Sequence, residues 1–247
     1  MLKTKKNNLK VVILAGGYGT RLGTLTKLKP KPMVDVCGKP IIEHIIQLYL
    51  KSGFSNFIIC GGYKSEVIKD YFREKFRKNI LLNNKNETFI KKNNFSIRIV
   101  NTGKNSLTGG RIKRIKKYVE KDAYFHMTYG DGLSNVDIKK LTKFHLKNKK
   151  FATVTTVKIQ VPQERFGVVY FKNKNTVKEF VEKPDIKEVF INGGFFVLSN
   201  KIFKFIKDDF TRWEAKPLEK IAKQKQLAAF KHTGFWKCMD TIRDRKF

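Results

Sequence analysis

Two aspartates and four cations stand beside glycines or at the ends of apolar runs. Asp131 sits between Gly130 and Gly132, just after the run Ala123–Thr128, and Asp240 follows Trp236-Lys237-Cys238-Met239. Arg21 closes the turn Gly16-Gly17-Tyr18-Gly19-Thr20, Lys31 follows in Lys29-Pro30-Lys31-Pro32-Met33, Arg111 ends Ser106-Leu107-Thr108-Gly109-Gly110, and Lys183 stands beside Glu182. Glycines let a backbone turn tightly and bring bare N–H groups against phosphate oxygens. Arginine adds a planar fork that fits phosphates. Carboxylates distant in sequence but each ending a strand can meet at one magnesium ion. Strand, glycine loop and three cations in a short span (Arg21, Lys29, Lys31) form the layout of a nucleoside triphosphate site.

Each group also has a plainer reading. The loop is not a P-loop, because no Gly-Lys-Ser/Thr closes it. It is not a dinucleotide fingerprint, because Gly17-Tyr18-Gly19 lacks a third glycine opening a helix. Asp131 fits a turn, Asp240 a cap on a helix begun by Thr241, and Glu182-Lys183 an ordinary surface pair. Lys31 is one lysine among many. His44 and His126 read as packed residues, and Met33, Met127 and Met239 as core or pocket filling.

The elements that position these groups alternate. Val11–Ala15 reads as a buried parallel strand. Ile41, Ile42, Ile45, Ile46 and Tyr49 give a helical face after Pro40, with Gly53 as its end. Phe57–Cys60 is a second strand, and Ser65 caps a second helix. Lys75–Asn94, rich in lysine and asparagine, reads as an exposed, mobile loop. Phe95–Val100 and Ala123–Thr128 are further strands, with a helix through Ile112, Ile115 and Val119 between them, and Asp137 caps a helix through Leu141. This order predicts an α/β fold with a mostly parallel sheet and helices on both faces. From Phe151 the chain is β-rich: Val154–Val157, then Val168–Phe171 and Val177–Val181 around a turn at Asn173-Lys174-Asn175, then Ile191–Leu198. Two helical stretches follow, around Ile202 and Leu218. With no repeat or linker in view, residues 1–247 read as a single domain, with a nucleotide-binding half (10–150) and a β-rich half (151–247).

A chain of 247 residues that is 41% hydrophobic can bury a real core. It carries 53 Lys+Arg against 21 Asp+Glu, a balance of +32. Nucleic-acid binding is one reading of that excess. The lysines are spread along the whole chain with asparagine beside them, so most are read as solvated surface that also attracts anionic substrates. No apolar run approaches membrane-spanning length, and Met1–Lys10 is no secretory signal. Cys37, Cys60 and Cys238 form no CxxC pair, which suits a reducing cytoplasm and argues against zinc.

The run Leu14-Ala15-Gly16-Gly17-x-Gly19-Thr20-Arg21-Leu22 with Lys29-Pro30-Lys31-Pro32-Met33 resembles the sugar-phosphate nucleotidyltransferase family. The resemblance extends from Lys10 to Arg245. Further pieces resemble the cytidylyl-transferring branch rather than the uridylyl or thymidylyl members: Cys60–Lys64, Leu107–Arg111, Thr128–Gly132, Arg165–Gly167, Ile191–Val197 and Gly234–Thr241. It implies a Rossmann-like nucleotidyltransferase fold. It also implies CTP and glucose 1-phosphate as substrates, Mg²⁺ as cofactor, a product used for surface-polysaccharide sugars, a homo-oligomer, and neither nucleic acid nor membrane as partner. The same chemistry on UTP, dTTP or another hexose phosphate stays open, as does a non-catalytic nucleic-acid-binding protein on this fold.

Residue by residue, the resemblance assigns Leu14, Ala15, Gly16, Gly17, Gly19, Thr20 and Arg21 to the nucleotide, with Arg21 and Lys31 on its phosphates. Ser106, Arg111 and Gly130 would hold the cytidine part, and the main chain of Gly109 and Gly110 would lie against the base. Asp131 and Asp240 would bind magnesium. Glu182, Asn192 and Gly193 would hold the sugar, and Lys183 its phosphate. The catalytic set is then Arg21, Lys31, Asp131, Lys183 and Asp240. The chain departs from the pattern in a shorter, more basic segment at 75–94, in Val161–Arg165 where a Pro-Gly-Arg turn is more common, and in ending at Phe247, where relatives continue.

Overall fold

The computed structural model describes residues 9–20, 25–159, 168–173, 176–181 and 189–239. Strand β1 (Lys10–Ala15) lies at the centre and runs into the glycine loop. A one-turn helix α1 (Leu25–Leu28) and a 3-10 turn over Lys31–Met33 follow, then a two-residue ladder of β2 (Asp35–Val36) and β3 (Lys39–Pro40). Pro40, with φ −58°, leads into α2 (Ile41–Lys51), whose Ile41, Ile42, Ile45, Ile46 and Tyr49 are buried. Strand β4 (Asn56–Gly61) pairs parallel to β1, and α3 (Ser65–Lys75) returns across the sheet. Its N-cap is Lys64 in the left-handed conformation. Ser65, expected as the cap, is instead the first helical residue and is buried.

Residues 75–94 correct the expectation of a mobile loop. They form a 3-10 turn, then β5 (Ile80–Asn83) and β6 (Glu87–Lys92), an antiparallel extension that pairs onto β7 (Phe95–Asn101). The lysines hid a strand because only Thr88 and Ile90 of these two strands are fully buried. Helix α4 (Thr108–Arg114) opens directly in the second glycine run, so Gly109 and Gly110 lie in its first turn. Then come α5 (Lys116–Val119), β8 (Tyr124–Tyr129), the short β9 (Gly132–Ser134) and α6 (Ile138–Asn148), with Asp137 accepting from the Lys140 N–H as its cap.

The β-rich part supplies β10 (Ala152–Ile159), the antiparallel pair β11 (Val168–Asn173) and β12 (Thr176–Val181), and β13 (Val189–Ser199). The expected helix around Ile202 is a 3-10 stretch, Asn200–Phe205. Helix α7 (Lys216–Lys223) precedes β14 (Leu227–His232), an edge strand absent from the sequence expectation, and β15 (Trp236–Cys238) pairs with β9. The principal sheet has the order β14-β10-β13-β8-β1-β4-β7-β6-β5. All its strands except β13 and β6 run in one direction.

Both faces of the sheet are covered. Val11, Ile13 and Ala15 point to the layer of α2, α3 and α6, while Val12 and Leu14 point to that of α4, α5 and α7. A strand buried on both faces is apolar at every position, as β1 is. After β1 the chain moves to β4 on one side, and β8 later takes the place on the other. The crevice beyond the carboxyl ends of β1 and β8 is therefore the topological switch point, where open α/β sheets bind ligands. No described helix is long and apolar enough to cross a membrane.

Candidate active site

A cavity of about 400 Å³ occupies that crevice, a size suited to a small-molecule ligand. Leu14 to Thr20 form one wall, Lys31 and Pro32 another, Lys104 to Thr108 with Arg111 a third, and Tyr129-Gly130-Asp131 the floor. Of the residues assigned from the sequence, Leu14, Ala15, Gly16, Gly17, Gly19, Thr20, Lys31, Ser106, Arg111, Gly130 and Asp131 meet here. Gly109 and Gly110 are absent from the lining. They sit beneath the segment 209–211: a Cβ on Gly109 would lie 2.6 Å from the Thr211 carbonyl oxygen, and one on Gly110 2.3 Å from that of Asp209. Asn192 and Gly193 lie on β13. Arg21, Glu182, Lys183 and Asp240 lie outside the described residues.

The glycines at the pocket are there for room. Gly130 donates its N–H to the Leu14 carbonyl at 2.9 Å, joining β8 to β1 beyond the last ladder pair. A Cβ there would meet Pro32 at 2.8 Å. Gly19 has φ +65°, a left-handed turn that side chains resist. Gly17 faces open space.

Arg111 is nearly fully buried, and its guanidinium holds the loops rather than standing free. Nη2 donates to the Gly16 carbonyl at 2.8 Å, and Nη1 to Gly103 O at 2.7 Å, Thr102 Oγ1 at 2.9 Å and Gly61 O at 3.2 Å. One side chain thus ties the loops after β1, β4 and β7 together. Its charge remains at the cavity wall. Burial pushes the neighbouring Cys60 thiol up to about 12, against the pull of Arg111, so that cysteine is a core residue rather than a nucleophile.

Lys31 and Asp131 form an ion pair at the cavity floor, Nζ to Oδ2 2.6 Å, with side chains 12% and 26% exposed. The proline-framed 3-10 turn aims Lys31 inward, with Pro32 and Met33 buried behind it. Lys29, counted with it in the sequence, pairs instead with Asp35. The backbone N–H of Met239 donates to the Asp131 carbonyl at 2.9 Å, and Cys238 is in register with Gly132. The C-terminal motif is thereby carried onto the Asp131 turn, one residue short of Asp240. Among the described residues no three His, Cys, Asp or Glu cluster as a metal site. A magnesium ion held by one or two carboxylates plus substrate phosphates requires no such cluster. The hard oxygens of Asp131 fit that ion.

Nothing singled out Tyr18, Asn105, Tyr129 or Glu214 as site residues in the sequence. Tyr18 packs on Tyr63 at 5.0 Å between centroids and donates its hydroxyl to Asn105 Oδ1 at 2.8 Å, joining two walls of the cavity. Tyr129 donates to Glu214 Oε1 at 2.6 Å. The sequence carries no signal for Glu214, which reads as a surface residue between Trp213 and Ala215.

A model of the family described as nucleotidyl transferase matches residues 10–241. The chain belongs to the nucleotidyl transferase family. It is 44% identical to the glucose-1-phosphate cytidylyltransferase of Salmonella typhimurium, over 97% of this chain and 94% of that protein. Among solved structures it is similar to HddC from Yersinia pseudotuberculosis, with a TM-score of 0.68, 26% identity and 96% of each chain covered. A UDP-glucose pyrophosphorylase bound to UDP-glucose shares the fold at a TM-score of 0.69 and 19% identity, covering 96% of this chain and 95% of that one.

Proposed function

We propose that this chain transfers the cytidylyl group of CTP to α-D-glucose 1-phosphate, giving CDP-glucose and pyrophosphate. The 44% identity with a protein of that name, along almost the whole chain, carries the proposal. The cavity supports it, because a glycine loop and a lysine–aspartate pair at a switch point suit a triphosphate with its counter-ion.

In this reading the glycine loop and Arg21 wrap the triphosphate, Lys31 neutralises it, and Ser106 and Gly130 border the cytidine. Lys183 holds the sugar phosphate; Glu182, Asn192 and Gly193 hold the sugar. Asp131 and Asp240 hold Mg²⁺, which, when bound, supplies charge neutralisation at the phosphates. A phosphate oxygen of glucose 1-phosphate forms the new bond to the α-phosphorus in line, and the bond to pyrophosphate breaks. That oxygen is already ionised, so no general base is needed. Positioning and charge neutralisation carry the rate. Residues 10–150 and 151–247 serve as the nucleotide and sugar halves of one domain, in a cytoplasmic homo-oligomer supplying surface-polysaccharide sugars.

Pyrophosphate release assayed across CTP, UTP, dTTP and GTP with several sugar 1-phosphates tests the reading. CTP with glucose 1-phosphate should exceed every other pair; a different best pair overturns the specificity. Asp131→Asn and Asp240→Asn should each abolish Mg²⁺-dependent release while melting near the parent temperature. Full activity in both refutes the metal assignment.

A further inference from the structure

Glu214 lies on none of the motifs that carry the family likeness, yet both its carboxylate oxygens are engaged at the cavity. Oε1 accepts the Tyr129 hydroxyl at 2.6 Å and Oε2 the Thr108 hydroxyl at 2.6 Å. Thr108 in turn accepts from the Trp213 N–H at 2.9 Å. Tyr129 and Thr108 both line the cavity, Tyr129 from the end of β8 and Thr108 from the start of α4. On its other side the Tyr129 oxygen accepts from Asn192 Nδ2 at 3.4 Å. The Asn192 side-chain oxygen Oδ1 accepts from the Gly194 N–H at 2.8 Å.

The phenol ring has little freedom. Gly194, at φ +84°, lies so close that a Cβ would meet Tyr129 Cδ2 at 2.9 Å, and Phe196 packs edge-on at 6.1 Å. The segment before Glu214 is tied to α4: Leu107 N donates to Asp209 O at 2.8 Å, Gly109 N to Thr211 O at 2.9 Å, and Arg114 forks onto Asp209. Burial, then the adjacent carboxylate, push the Tyr129 phenol well above its ordinary value, so it keeps its proton near neutrality. That proton is directed at Glu214, which turns a lone pair of the phenol oxygen toward Asn192.

We propose that Glu214 is a positioning residue for the sugar phosphate, acting through Tyr129 to hold Asn192 in the orientation that receives the sugar. The inference rests on the functional reading above, which puts Asn192 on the sugar side. A charged acceptor fixes a hydroxyl more strongly than a neutral one. Replacing the carboxylate by an amide puts an NH₂ donor against one of the two hydroxyls and leaves the phenol at best a neutral acceptor, which holds it more weakly.

The test is steady-state kinetics on the full chain with Glu214→Gln, Tyr129→Phe and the double variant, alongside CTP affinity by calorimetry. Glu214→Gln should raise KM for glucose 1-phosphate about tenfold, the loss of one charge-assisted hydrogen bond. Tyr129→Phe should do the same, and the double variant should be no worse than either single one, because the two act in series. Any rise in the CTP Kd should stay well below the rise in KM for glucose 1-phosphate, because Tyr129→Phe keeps the ring that lines the cavity floor. An unchanged KM in Glu214→Gln, effects that multiply in the double variant, or an equal rise for CTP overturns the inference. Should the parent enzyme prefer another triphosphate and sugar phosphate, the functional reading fails by itself. The same cycle on the preferred pair then still decides whether Glu214 acts through Tyr129 on the sugar phosphate.

Discussion

At the pocket, two adjacent glycines do different jobs. A Cβ on Gly16 would lie 2.2 Å from the Arg111 guanidinium, whereas one on Gly17 meets nothing within 4 Å. Gly16→Ala must therefore push aside a buried cation that holds three loops, at a cost of about 2–4 kcal/mol in the range for overpacking and broken buried networks. Gly17→Ala should leave stability within about 0.5 kcal/mol while weakening nucleotide binding, because the methyl enters the cavity. Urea melts and nucleotide titrations on the pair check this; equal stability loss in both would remove the Arg111 clamp as the explanation. Arg111 itself was legible as a cation near a glycine turn. That its donors go to Gly16, Gly61, Thr102 and Gly103 was not, because those partners come from three separate loops.

Among the elements, α4 shows how a site wall rests on packing elsewhere. Gly109 and Gly110 let the segment 209–211 lie directly on the helix, and the loop 104–108 is fixed by that contact. Gly110→Ala would place a Cβ 2.3 Å from the Asp209 carbonyl oxygen. It should destabilise the fold by about 1–3 kcal/mol and raise KM for the nucleotide as well, since Ser106 and Thr108 shift with the helix start. Thermal melts and kinetics should move together; a stability loss with unchanged nucleotide KM would show that the wall does not depend on this contact. The helices and parallel strands of the first half were readable because their faces repeat at the helical period or are apolar throughout. The β5–β6 extension and β14 were not, because edge strands need few apolar residues. Their lysines and asparagines look the same on an edge as in a loop.

For the whole molecule, acid should be more damaging than the sequence suggests. His126 and His145 are buried, and burial holds them down to about 3 and about 4 from an ordinary 6.5. Their folded values lie below the unfolded one, so the unfolded chain binds protons that the folded chain does not. Stability is full above about pH 6.5 and is lost as pH falls toward those folded values, by about 1.4 kcal/mol per pH unit for each histidine. Denaturant melts at pH 7 and pH 5 should differ by roughly 4 kcal/mol on this account; superimposable melts would mean that the histidines charge without unfolding. The +32 balance adds self-repulsion, so moderate salt should raise the melting temperature while slowing capture of anionic substrates.

Local order along the chain determined much of this protein before any contact was known. The apolar run of β1, the glycines and cations after it, the alternation of strand and helix, and Asp131 at a strand end all follow from short-range rules of period, turn and charge. Only the tertiary structure decided which strands became neighbours, that 75–94 completes a sheet, that Arg111 directs its donors to backbone carbonyls and the Thr102 hydroxyl, and that Glu214 reaches Tyr129 from 85 residues away. Periodicity and turn chemistry are written within a few residues of each other. A buried hydrogen bond between distant segments has no such local trace, because its partners meet only when the sheet and its covering layers have formed.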